Sequence, residues 1–491
     1  MTTEVKIGGI FLRSLLIKNA RNIISMDDKR SRYPLGNIYV EDGVIKEIGI
    51  NIKAKNADEV IDASGKIVYP GMINTHHHLY QTFTRNIPWA QDCELFDWLT
   101  TLYQIWRHLQ PEDVYLSGLV GLGELLKSGC TTASDHFYVF PDGVTDKLID
   151  EEIKAAQEIG IRFFPTRGSM SLGQSDGGLP PDEVVQKESE ILKDTRRVIE
   201  TYHDDSPFSM LRVGVAPCSP FSVSTDLLIE SAELARSYGV RMHTHLAETR
   251  DEEDFVRDRF GLTPLEYMEK TNWVGDDVWY AHGIWFDNNE IKRLGLHGCG
   301  VAHCPSSNMK LSSGTFPIKN MLREGVNVGL GVDGSASNDS SNMLNEAKIG
   351  HLLHKLQHGV KFLGAEDMLD IGTRGSSKLL GWSGEIGSLE VGKAADMFMI
   401  DSNRIEYAGA LLDEASMPIL TGSGQVDMTI VNGKVVVKEG QLVNIDEGKV
   451  AERSQKAVQR LVNTASIRTK VNYKRSRSQM NRNGAWKYLR K

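Results

Sequence analysis

The feature that most constrains the fold is one simple unit that recurs along the chain. Between residues 70 and 384, a β-rich segment, a polar or glycine turn and a helical pattern follow one another eight times. The eight β-rich segments read VYPGMINTH, TTASDHFYV, IRFFPTRG, LRVGVAPC, VRMHTHLAE, DVWYAHG, GVAHCP and VNVGLGVDG. Most are apolar runs, as expected for parallel strands that are buried on both faces. The pattern predicts an α/β fold with a TIM-like (β/α)8 barrel over residues 70–384.

The two ends of the chain carry a different pattern. LLIKNARNIISMDD, GNIYVEDGVIKEIG and KIVYPG near the start resemble short strands joined by tight turns. GSLEVGKAADMFMID and VDMTIVNGKVVVKEGQLV near the end read the same way. We predict that residues 1–69 and 385–450 together form one small discontinuous β-sandwich domain. Residues 451–491 are predicted to form a C-terminal helix and a basic, flexible tail.

Charge and cysteine content narrow the classes of function. The formal net charge of −9 argues against a general nucleic-acid binder, and the basic tail is expected to be a solvated extension. No apolar run reaches the roughly 18 residues that a membrane span needs, and the N-terminus lacks the pattern of a signal peptide. The five cysteines are scattered, without a C-x-x-C pair. This usage indicates reduced thiols in a cytoplasmic protein.

Histidines and an aspartate stand at the ends of several predicted strands. In NTHHHLY, His76 and His78 alternate along an extended strand and face the same side, whereas His77 faces the other. The fifth to eighth β-rich segments carry HTHLAE, AH, AHC and GVDG at their ends. Because the carboxyl ends of barrel strands meet at one rim, these side chains are expected to come together. Three histidines and one aspartate would bind a metal and leave a coordination position for water, as hydrolytic zinc requires.

These motifs resemble those of the amidohydrolase superfamily. PGMINTHHH, HTHLAE, AHG, AHCPSSNMKL, GVDGSASND and GSLEVGKAAD occur in that family's order, and the resemblance covers nearly all of residues 1–450. They are most similar to the ATZ/TRZ branch of aminohydrolases, which includes guanine deaminase, adenosine-type deaminases and triazine hydrolases. The resemblance implies a hydrolase that acts on carbon–nitrogen bonds in cyclic amidines.

The resemblance also implies a metal site. Carried over by motif, its ligands are His76, His78, His245 and Asp333, while His243 could also face the barrel interior by strand parity. The fourth segment ends in VAPC and offers no lysine, the residue whose carbamate bridges two metals in other branches. One divalent metal per chain is therefore expected. Zn²⁺ is preferred and Fe²⁺ is the alternative, because the Irving–Williams order favours zinc at a histidine-rich site.

Four residues are expected to carry the chemistry around the metal. The resemblance implies that Glu248 shuttles protons to a ring nitrogen of the substrate and then helps ammonia to leave. Asp333 and His282, which ends the sixth segment, would deprotonate and orient the attacking water. His303, in the seventh segment, would contact the substrate and stabilise or orient the adduct.

Two further residues are candidates for substrate recognition. Gln81 lies three residues after His78, where guanine deaminases carry a glutamine that pairs with the purine edge. Its amide can donate and accept hydrogen bonds together. Arg167 ends the third segment and would hydrogen-bond a ring carbonyl. The walls of a pocket for a flat heterocycle are expected from four aromatic residues: Phe96, Trp98, Tyr103 and Trp106.

The substrate is narrowed by two further segments. LYQTFTRNIPWAQDCELFDWLTTLYQIW and TTASDHFYVFPDG are similar to the bacterial 8-oxoguanine deaminases. Guanine deaminases carry an arginine after the SP of the fourth segment, whereas this chain reads CSPFSVS, which argues against ordinary guanine. The resemblance thus implies deamination of 8-oxoguanine to urate and ammonia.

Several alternatives stay open at this point. An isoxanthopterin (pterin) deaminase or a hydroxyatrazine-type triazine aminohydrolase shares much of the pattern, and a non-catalytic scaffold that has lost its metal is a distant alternative. The expected partners are a small heterocycle and further copies of the chain in a homo-oligomer. Neither a membrane nor a nucleic acid is expected as a partner.

Overall fold

The chain is described by a computed structural model over residues 14–53, 56–145, 147–421 and 424–477. Its N-terminal region contains short strands that lie outside the barrel. They are β1 (Ser14–Ala20), β2 (Asn22–Ile23), β3 (Gly36–Glu41), β4 (Val44–Gly49), β5 (Glu59–Asp62) and β6 (Lys66–Pro70).

Eight parallel strands form the barrel, and each overlaps one of the β-rich segments of the sequence. They are β7 (Met72–Asn74), β8 (Cys130–Phe137), β9 (Arg162–Ser169), β10 (Gly214–Pro217), β11 (Met242–Leu246), β12 (Val278–His282), β13 (Gly300–His303) and β14 (Asn327–Leu330). Each pairs with the next in chain order. The N–H of Thr75 donates to the carbonyl of Leu330 at 3.0 Å, which joins the last strand to the first. The predicted barrel is confirmed.

Helices follow most of the barrel strands and flank the last ones. They are α1 (Leu95–Trp106), α2 (Pro111–Lys127), α3 (Leu148–Ile159), α4 (Glu188–Tyr202), α5 (Thr225–Tyr238), α6 (Arg250–Phe260), α7 (Pro264–Lys270), α8 (Asn288–His297), α9 (Pro305–Lys310), α10 (Ile318–Arg323), α11 (Ser335–Asn338), α12 (Met343–His358), α13 (Ala365–Asp370), α14 (Ser376–Leu379), α15 (Met417–Leu420) and α16 (Glu447–Thr469). Short 3₁₀ helices span Leu79–Thr84, Pro88–Ala90, Gln174–Asp176, Asp182–Val184 and Ile405–Tyr407, and a π-helical turn spans Ile371–Gly375.

Local sequence sets the ends of these helices, as α8 shows. The side chain of Asp287 accepts hydrogen bonds from the N–H groups of Asn289 and Glu290, both at 2.8 Å, and Glu290 accepts one from the N–H of Asp287 at 2.9 Å. This reciprocal capping box satisfies donors that the first turn leaves free. The helix ends at Gly298, whose φ of 76° lies in the left-handed region that glycine adopts without strain.

Both ends of the chain contribute to the small β-domain. Its C-terminal strands are β15 (Met397–Asp401), β16 (Met428–Val431), β17 (Lys434–Lys438) and β18 (Gln441–Leu442). The N-terminal strand β6 pairs antiparallel with β15 in a mixed sheet of order β18-β17-β16-β15-β6-β2, and a second sheet has the order β4-β3-β1-β5. Apolar side chains from both ends, such as Ile17, Ile38 and Met397, form one buried cluster. The predicted β-sandwich from the two chain ends is confirmed, while its limits at residues 69 and 385 stay a prediction.

A buried ion pair connects the barrel to this domain. Arg162, in β9, donates from Nε and Nη2 to the two carboxylate oxygens of Asp396 at 2.9 and 3.1 Å. Its Nη1 also donates to the carbonyl of Phe208 at 2.8 Å, and Asp396 accepts from the N–H of Asn432 at 2.7 Å. Paired donors and acceptors offset the cost of burying both charges.

The C-terminal helix α16 packs against α1 and α2. After it, Tyr473 is buried, and Arg477 donates to Asp97 at 3.1 Å and to Thr101 at 2.7 Å, both in α1. The part of the predicted tail that the structure describes, residues 470–477, is therefore packed against the barrel. Residues 478–491 of that tail lie outside the described residues. Among the described helices, none combines the length and apolar character that crossing a membrane requires.

Candidate active site

The first and last barrel strands bring three expected ligands to one point. His76 and His78 follow β7, and Asp333 follows β14. The N–H of Asp333 donates to the carbonyl of His76 at 3.0 Å and so continues the seam that closes the barrel. As a result, Oδ1 of Asp333 lies 3.3 Å from the Nε2 atoms of both His76 and His78.

His245, in β11, completes this cluster. Its Nε2 atom lies 3.0 Å from Nε2 of His78. All four side chains are buried, and ligand atoms of His76, His78 and Asp333 lie within 4.8 Å of one another. Converging imidazole nitrogens and a carboxylate oxygen form a donor set that zinc favours.

Hydrogen bonds on the far sides of the rings show that these residues fit a metal. A main-chain carbonyl only accepts hydrogen bonds. The Nδ1 atoms of His78 and His245 lie 2.7 Å from the carbonyls of His136 and Cys218, so each Nδ1 carries the hydrogen. Their Nε2 atoms therefore present lone pairs to the cluster. Nε2 of His76 is buried and forms no hydrogen bond within the described part of the chain.

Asp333 is held as a carboxylate by its surroundings. Its Oδ2 accepts from the hydroxyls of Ser307 and Ser337 at 2.6 and 3.1 Å, and its Oδ1 from the N–H of Gly334 at 2.7 Å. Burial alone would raise the pKa of Asp333, but the neighbouring histidines outweigh it and hold that pKa well below its ordinary value. Its φ of 60° is left-handed, a strained conformation that points to a functional constraint.

The pKa of the Glu248 carboxyl group is shifted in the opposite direction to that of Asp333. Glu248 lies in the turn after β11, where its Oε1 accepts from the hydroxyl of Ser313 at 3.1 Å. Burial, with the charges of Asp333 and Glu252, raises the pKa of Glu248 well above its ordinary value, and Ser313 offsets this only in part. Glu248 therefore favours its protonated form more than an ordinary glutamate does.

His282 stands between Glu248 and the metal cluster. It is the last residue of β12, with a left-handed φ of 75°, and its Nε2 lies 3.4 Å from Oε2 of Glu248. Nδ2 of Asn308 donates to its Nδ1 at 3.0 Å, so the ring hydrogen is on Nε2. Burial lowers the pKa of His282 to about 4, which keeps the ring neutral near pH 7. It can therefore donate from Nε2 towards the pocket.

A narrow pocket connects this centre to the rim of the barrel. Its free volume is about 30 Å³, room for about one or two water molecules. Its walls are Leu95, Trp98, Leu99, Tyr138, Cys218, Phe221, Leu311 and Ser337, and its polar residues include Gln81, Glu248, His282 and Asp333.

The predicted aromatic wall is correct in one of its four members. Trp98 lines the pocket, whereas Phe96 contacts Phe221 with ring centroids 4.9 Å apart and 56° between the ring planes. Tyr103 and Trp106 are buried in the core behind the wall, where their rings contact each other. Helical spacing alone does not distinguish a wall from the core behind it.

Gln81 lies where the sequence predicted a substrate contact. It is buried and lines the pocket. Its Oε1 atom has no hydrogen-bond partner among the described residues. The amide oxygen is thus a buried acceptor whose hydrogen-bonding capacity is not used within the described part of the chain.

The structure places the Arg167 side chain outside the lining of this pocket, and its substrate contact stays a prediction. Its Nε donates to Asp194 in α4 at 2.9 Å, and its Nη2 donates to Gln186 at 2.9 Å. The guanidinium lies 3.9 Å from the ring centroid of Phe140. Barrel strands bury both faces, and this side chain points outward to a helix that offers it a carboxylate.

His303 also lies outside the lining of this pocket, and its substrate contact stays a prediction. The ring stacks on Phe316 with centroids 4.5 Å apart, and its Nε2 lies 2.9 Å from Nε2 of His354 in α12. The side chain therefore occupies the layer between the barrel and its outer helices. Its position at a strand end correctly indicated the rim of the barrel. It did not indicate on which face of the strand the side chain lies.

Sequence reasoning missed one histidine of the inner cluster. His136, near the end of β8, belongs with His76 and His245 to a second group of ligand atoms that lie within 4.8 Å of one another. Its Nε2 contacts the carbonyl of Ala216 at 2.8 Å. The rule used for the other strands, a histidine close to the carboxyl end, would have found it.

His77 faces away from the cluster, as the alternation along the strand predicts. Its Nε2 lies 2.9 Å from the hydroxyl of Ser341, and its Nδ1 lies 3.9 Å from Oδ1 of Asp135. Burial lowers the pKa of His77 to about 3, so the ring is neutral near pH 7. His77 therefore supports the strand from behind.

Comparisons with known proteins found similar sequences and a similar fold. The sequence model of the amidohydrolase family matches residues 67–436. The chain is 44% identical to the 8-oxoguanine deaminase of Pseudomonas aeruginosa over 87% of this chain and 95% of that protein. It is 39% identical to the hydroxydechloroatrazine ethylaminohydrolase of a Pseudomonas species, over 87% of this chain and 91% of that protein. A crystal structure of atrazine chlorohydrolase from Arthrobacter aurescens TC1 complexed with zinc aligns with a TM-score of 0.86 and 31% identity, over 90% and 100% of the chains.

Because His77 faces away from His76 and His78, substitution of His77 is expected to affect metal binding differently from substitution of its two neighbours. His77→Ala should keep its metal and lower only the melting temperature, because the residue packs behind the site. His76→Ala and His78→Ala should lose metal, because each removes a nitrogen of the donor set. Elemental analysis of the three purified variants checks this. Equal loss of metal from all three would contradict the assignment.

Proposed function

This chain is a member of the amidohydrolase family, and we propose that it is a metal-dependent aminohydrolase that converts 8-oxoguanine to urate and ammonia. The observation that carries the proposal is the pair of buried carboxyl groups that share one pocket. Glu248 favours its protonated form, whereas Asp333 favours its carboxylate. Hydrolytic deamination needs such an acid and base together. The 44% identical relative named 8-oxoguanine deaminase supports the choice of substrate.

The donor set supports one divalent metal, held by His76, His78, His245 and Asp333. When bound, the metal supplies a hydroxide nucleophile, because it lowers the pKa of its water towards neutrality. Zinc is the proposed ion, since the donors are rich in nitrogen and a 31% identical structure is complexed with zinc. Fe²⁺ is the alternative. Cys218, not a lysine, follows the fourth barrel strand, which supports a single ion.

Glu248 would supply the proton that activates the substrate. A ring carbon of an aromatic amidine accepts an attacking oxygen only when the neighbouring ring nitrogen gains a proton in step. Glu248 is a buried carboxyl that holds a proton, and it faces the pocket within reach of His282. After the addition, the Glu248 carboxylate can take the proton of the adduct's hydroxyl group and give it to the amino group, so that the carbonyl forms as the carbon–nitrogen bond breaks and ammonia leaves; the proton held by Asp333 then restores Glu248.

Asp333 and His282 would prepare the attacking water. Asp333 remains a carboxylate, so it can take the proton that the water loses. His282 is neutral with its hydrogen on Nε2, which lets it donate to the oxygen that becomes negative as the adduct forms. The left-handed backbone of both residues holds these side chains at the rim of the barrel.

Recognition of the heterocycle would rest on Gln81 and on the apolar wall. The free Oε1 of Gln81 can accept from a ring N–H, and its amide nitrogen can donate to a ring carbonyl. Trp98 and Phe221 offer flat faces for the ring. We assign no substrate contact to Arg167 or His303, because their side chains are engaged with Asp194 and His354.

A hydroxytriazine is the second candidate substrate. The 39% identical relative named hydroxydechloroatrazine ethylaminohydrolase favours it, and an oxidised pterin is a third candidate, favoured by a 33% identical isoxanthopterin deaminase. A hydroxytriazine with an alkylamino group would release an alkylamine, whereas the purine and the pterin would release ammonia.

We also propose that the protein is cytoplasmic and forms a homo-oligomer. All five cysteines are buried and free of disulfides, as in a reducing compartment. The outer face of α12 exposes Leu352 and Leu356, with 54% and 88% of their surface accessible. Exposed neighbouring leucines on one helix support contact with another copy of the chain.

A screen of product release tests the substrate. Metal-analysed protein is incubated with 8-oxoguanine, guanine, isoxanthopterin and hydroxyatrazine, and ammonia and alkylamine are measured separately. We expect kcat/KM to be highest for 8-oxoguanine, with ammonia and urate as products. Alkylamine from hydroxyatrazine at a higher kcat/KM would replace the proposal by the triazine alternative. If zinc-loaded protein released no product from any of these heterocycles, the result would favour the alternative that the protein is a non-catalytic scaffold.

The donor set also predicts the metal content. Purified protein should contain about one divalent ion per chain, and removal by a chelator should abolish turnover until zinc is restored. Elemental analysis against protein concentration measures the ratio. A ratio near two, with both ions needed for turnover, would be incompatible with a single site.

Glu248→Gln should keep the metal and bind the heterocycle, yet lose turnover. Glutamine preserves the size and hydrogen-bonding capacity of the side chain but cannot pass a proton. General acid–base groups contribute about 10²–10⁴-fold, and Glu248 would serve both addition and ammonia departure, so we expect a loss of kcat at the top of that range. Steady-state kinetics and ligand titration separate kcat from affinity. Wild-type turnover in this variant would leave the chemistry to Asp333 and His282.

A further inference from the structure

His243 is a buried histidine that lies directly behind one of the proposed metal ligands. It occupies β11 two residues before His245 and has no exposed surface. Its Nε2 lies 2.8 Å from Nδ1 of His76, and its Nδ1 lies 2.8 Å from the carbonyl of Trp279 in β12. Its ring also stacks on the indole of Trp279, with centroids 4.5 Å apart and 15° between the planes. Both ring nitrogens of His243 are therefore engaged, one by backbone and one by His76.

The positions of the hydrogens follow from these two contacts. The carbonyl of Trp279 only accepts, so Nδ1 of His243 carries a hydrogen. As a metal ligand through Nε2, which faces Asp333, His76 carries its hydrogen on Nδ1, the atom that contacts His243. Nε2 of His243 thus carries no hydrogen and accepts one from Nδ1 of His76. The single hydrogen of His76 is then on Nδ1, and its Nε2 presents a lone pair 3.3 Å from Oδ1 of Asp333.

His76 differs in this respect from the other two histidines of the donor set. His78 and His245 contact main-chain carbonyls directly through Nδ1, so their tautomers are fixed by the backbone. The tautomer of His76 is fixed instead by the side chain of His243. His76 is therefore the one histidine of the set whose tautomer depends on a residue that a substitution can remove.

We propose that His243 is a positioning residue for the metal: it relays the carbonyl of Trp279 to His76 and so fixes the tautomer and ring orientation of that ligand. His243 contributes no lone pair to the metal, because both of its nitrogens are engaged elsewhere. The proposal rests on the metal site of the proposed function but not on the identity of the substrate. Removing partners of this kind typically weakens metal binding by about 10–100-fold.

Two substitutions separate this relay from simple packing. His243→Gln places an amide oxygen near the position of Nε2, where it can still accept from Nδ1 of His76. His243→Phe keeps a ring that can stack on Trp279 but has no acceptor. The matched control is His303→Phe, which changes an equally buried histidine near a strand end that faces away from the cluster. The melting temperature of each metal-free variant shows whether the fold persists.

The measurement is zinc affinity, determined by competition with a chromophoric chelator. We expect His243→Phe to bind zinc about 10–100-fold more weakly than wild type, and His243→Gln and His303→Phe to stay within about threefold of wild type. Unchanged zinc affinity in a folded His243→Phe variant would overturn the proposal. Equal losses in the Phe and Gln variants would also overturn it, because packing alone would then explain the effect.

The same experiment distinguishes this proposal from the proposed function. Wild-type protein that binds zinc but deaminates no heterocycle would overturn the function, and the ratio of affinities would still decide the role of His243. Wild-type protein that binds no zinc would overturn both.

Discussion

The hydrogen-bonded seam between the first and last barrel strands is the constraint on which the rest of the site depends. The N–H of Thr75 donates to the carbonyl of Leu330, and the carbonyl of the next residue, His76, accepts from the N–H of Asp333. These bonds close a sheet whose end strands are about 250 residues apart in sequence, and parallel pairing sets their relative height. The seam therefore fixes the distance between a histidine pair and a carboxylate before any metal binds. A donor set held in advance loses little entropy on binding an ion.

Two carboxyl groups in one pocket are driven to opposite protonation states by their neighbours. Asp333 lies among imidazoles and hydroxyl donors that favour its charge, whereas Glu248 is enclosed by apolar walls and lies near two other carboxylates. Each influences the other, because the charge on Asp333 is one reason that Glu248 keeps its proton. The positions of the two carboxyl groups in the fold thus make Glu248 the acid and Asp333 the base.

Strand spacing and the one-rim rule of barrels were enough to predict the eight strands, the discontinuous β-domain and the convergence of histidines and an aspartate at one rim. The family resemblance was needed to select His245 over His243 as a ligand beside His76, His78 and Asp333. Spacing and the one-rim rule could not assign Arg167 and His303, because a barrel strand is buried on both faces and a polar side chain can point to either. What decided those faces was a partner distant in sequence, Asp194 for one and His354 for the other. The relay through His243 was equally hidden, since it depends on which nitrogen contacts which carbonyl.

The separation between the metal cluster and the pocket wall has an evolutionary consequence. All proposed ligands lie in or directly after barrel strands, whereas Leu95, Trp98 and Leu99 come from α1, inserted between two of those strands. A mutation in that insert changes the shape that a substrate meets and leaves the hydrolytic centre untouched. Lineages that share such an architecture can pass from one heterocycle to another through intermediates that all remain active, so new specificities are reached by gradual drift rather than by reinvention of the catalyst.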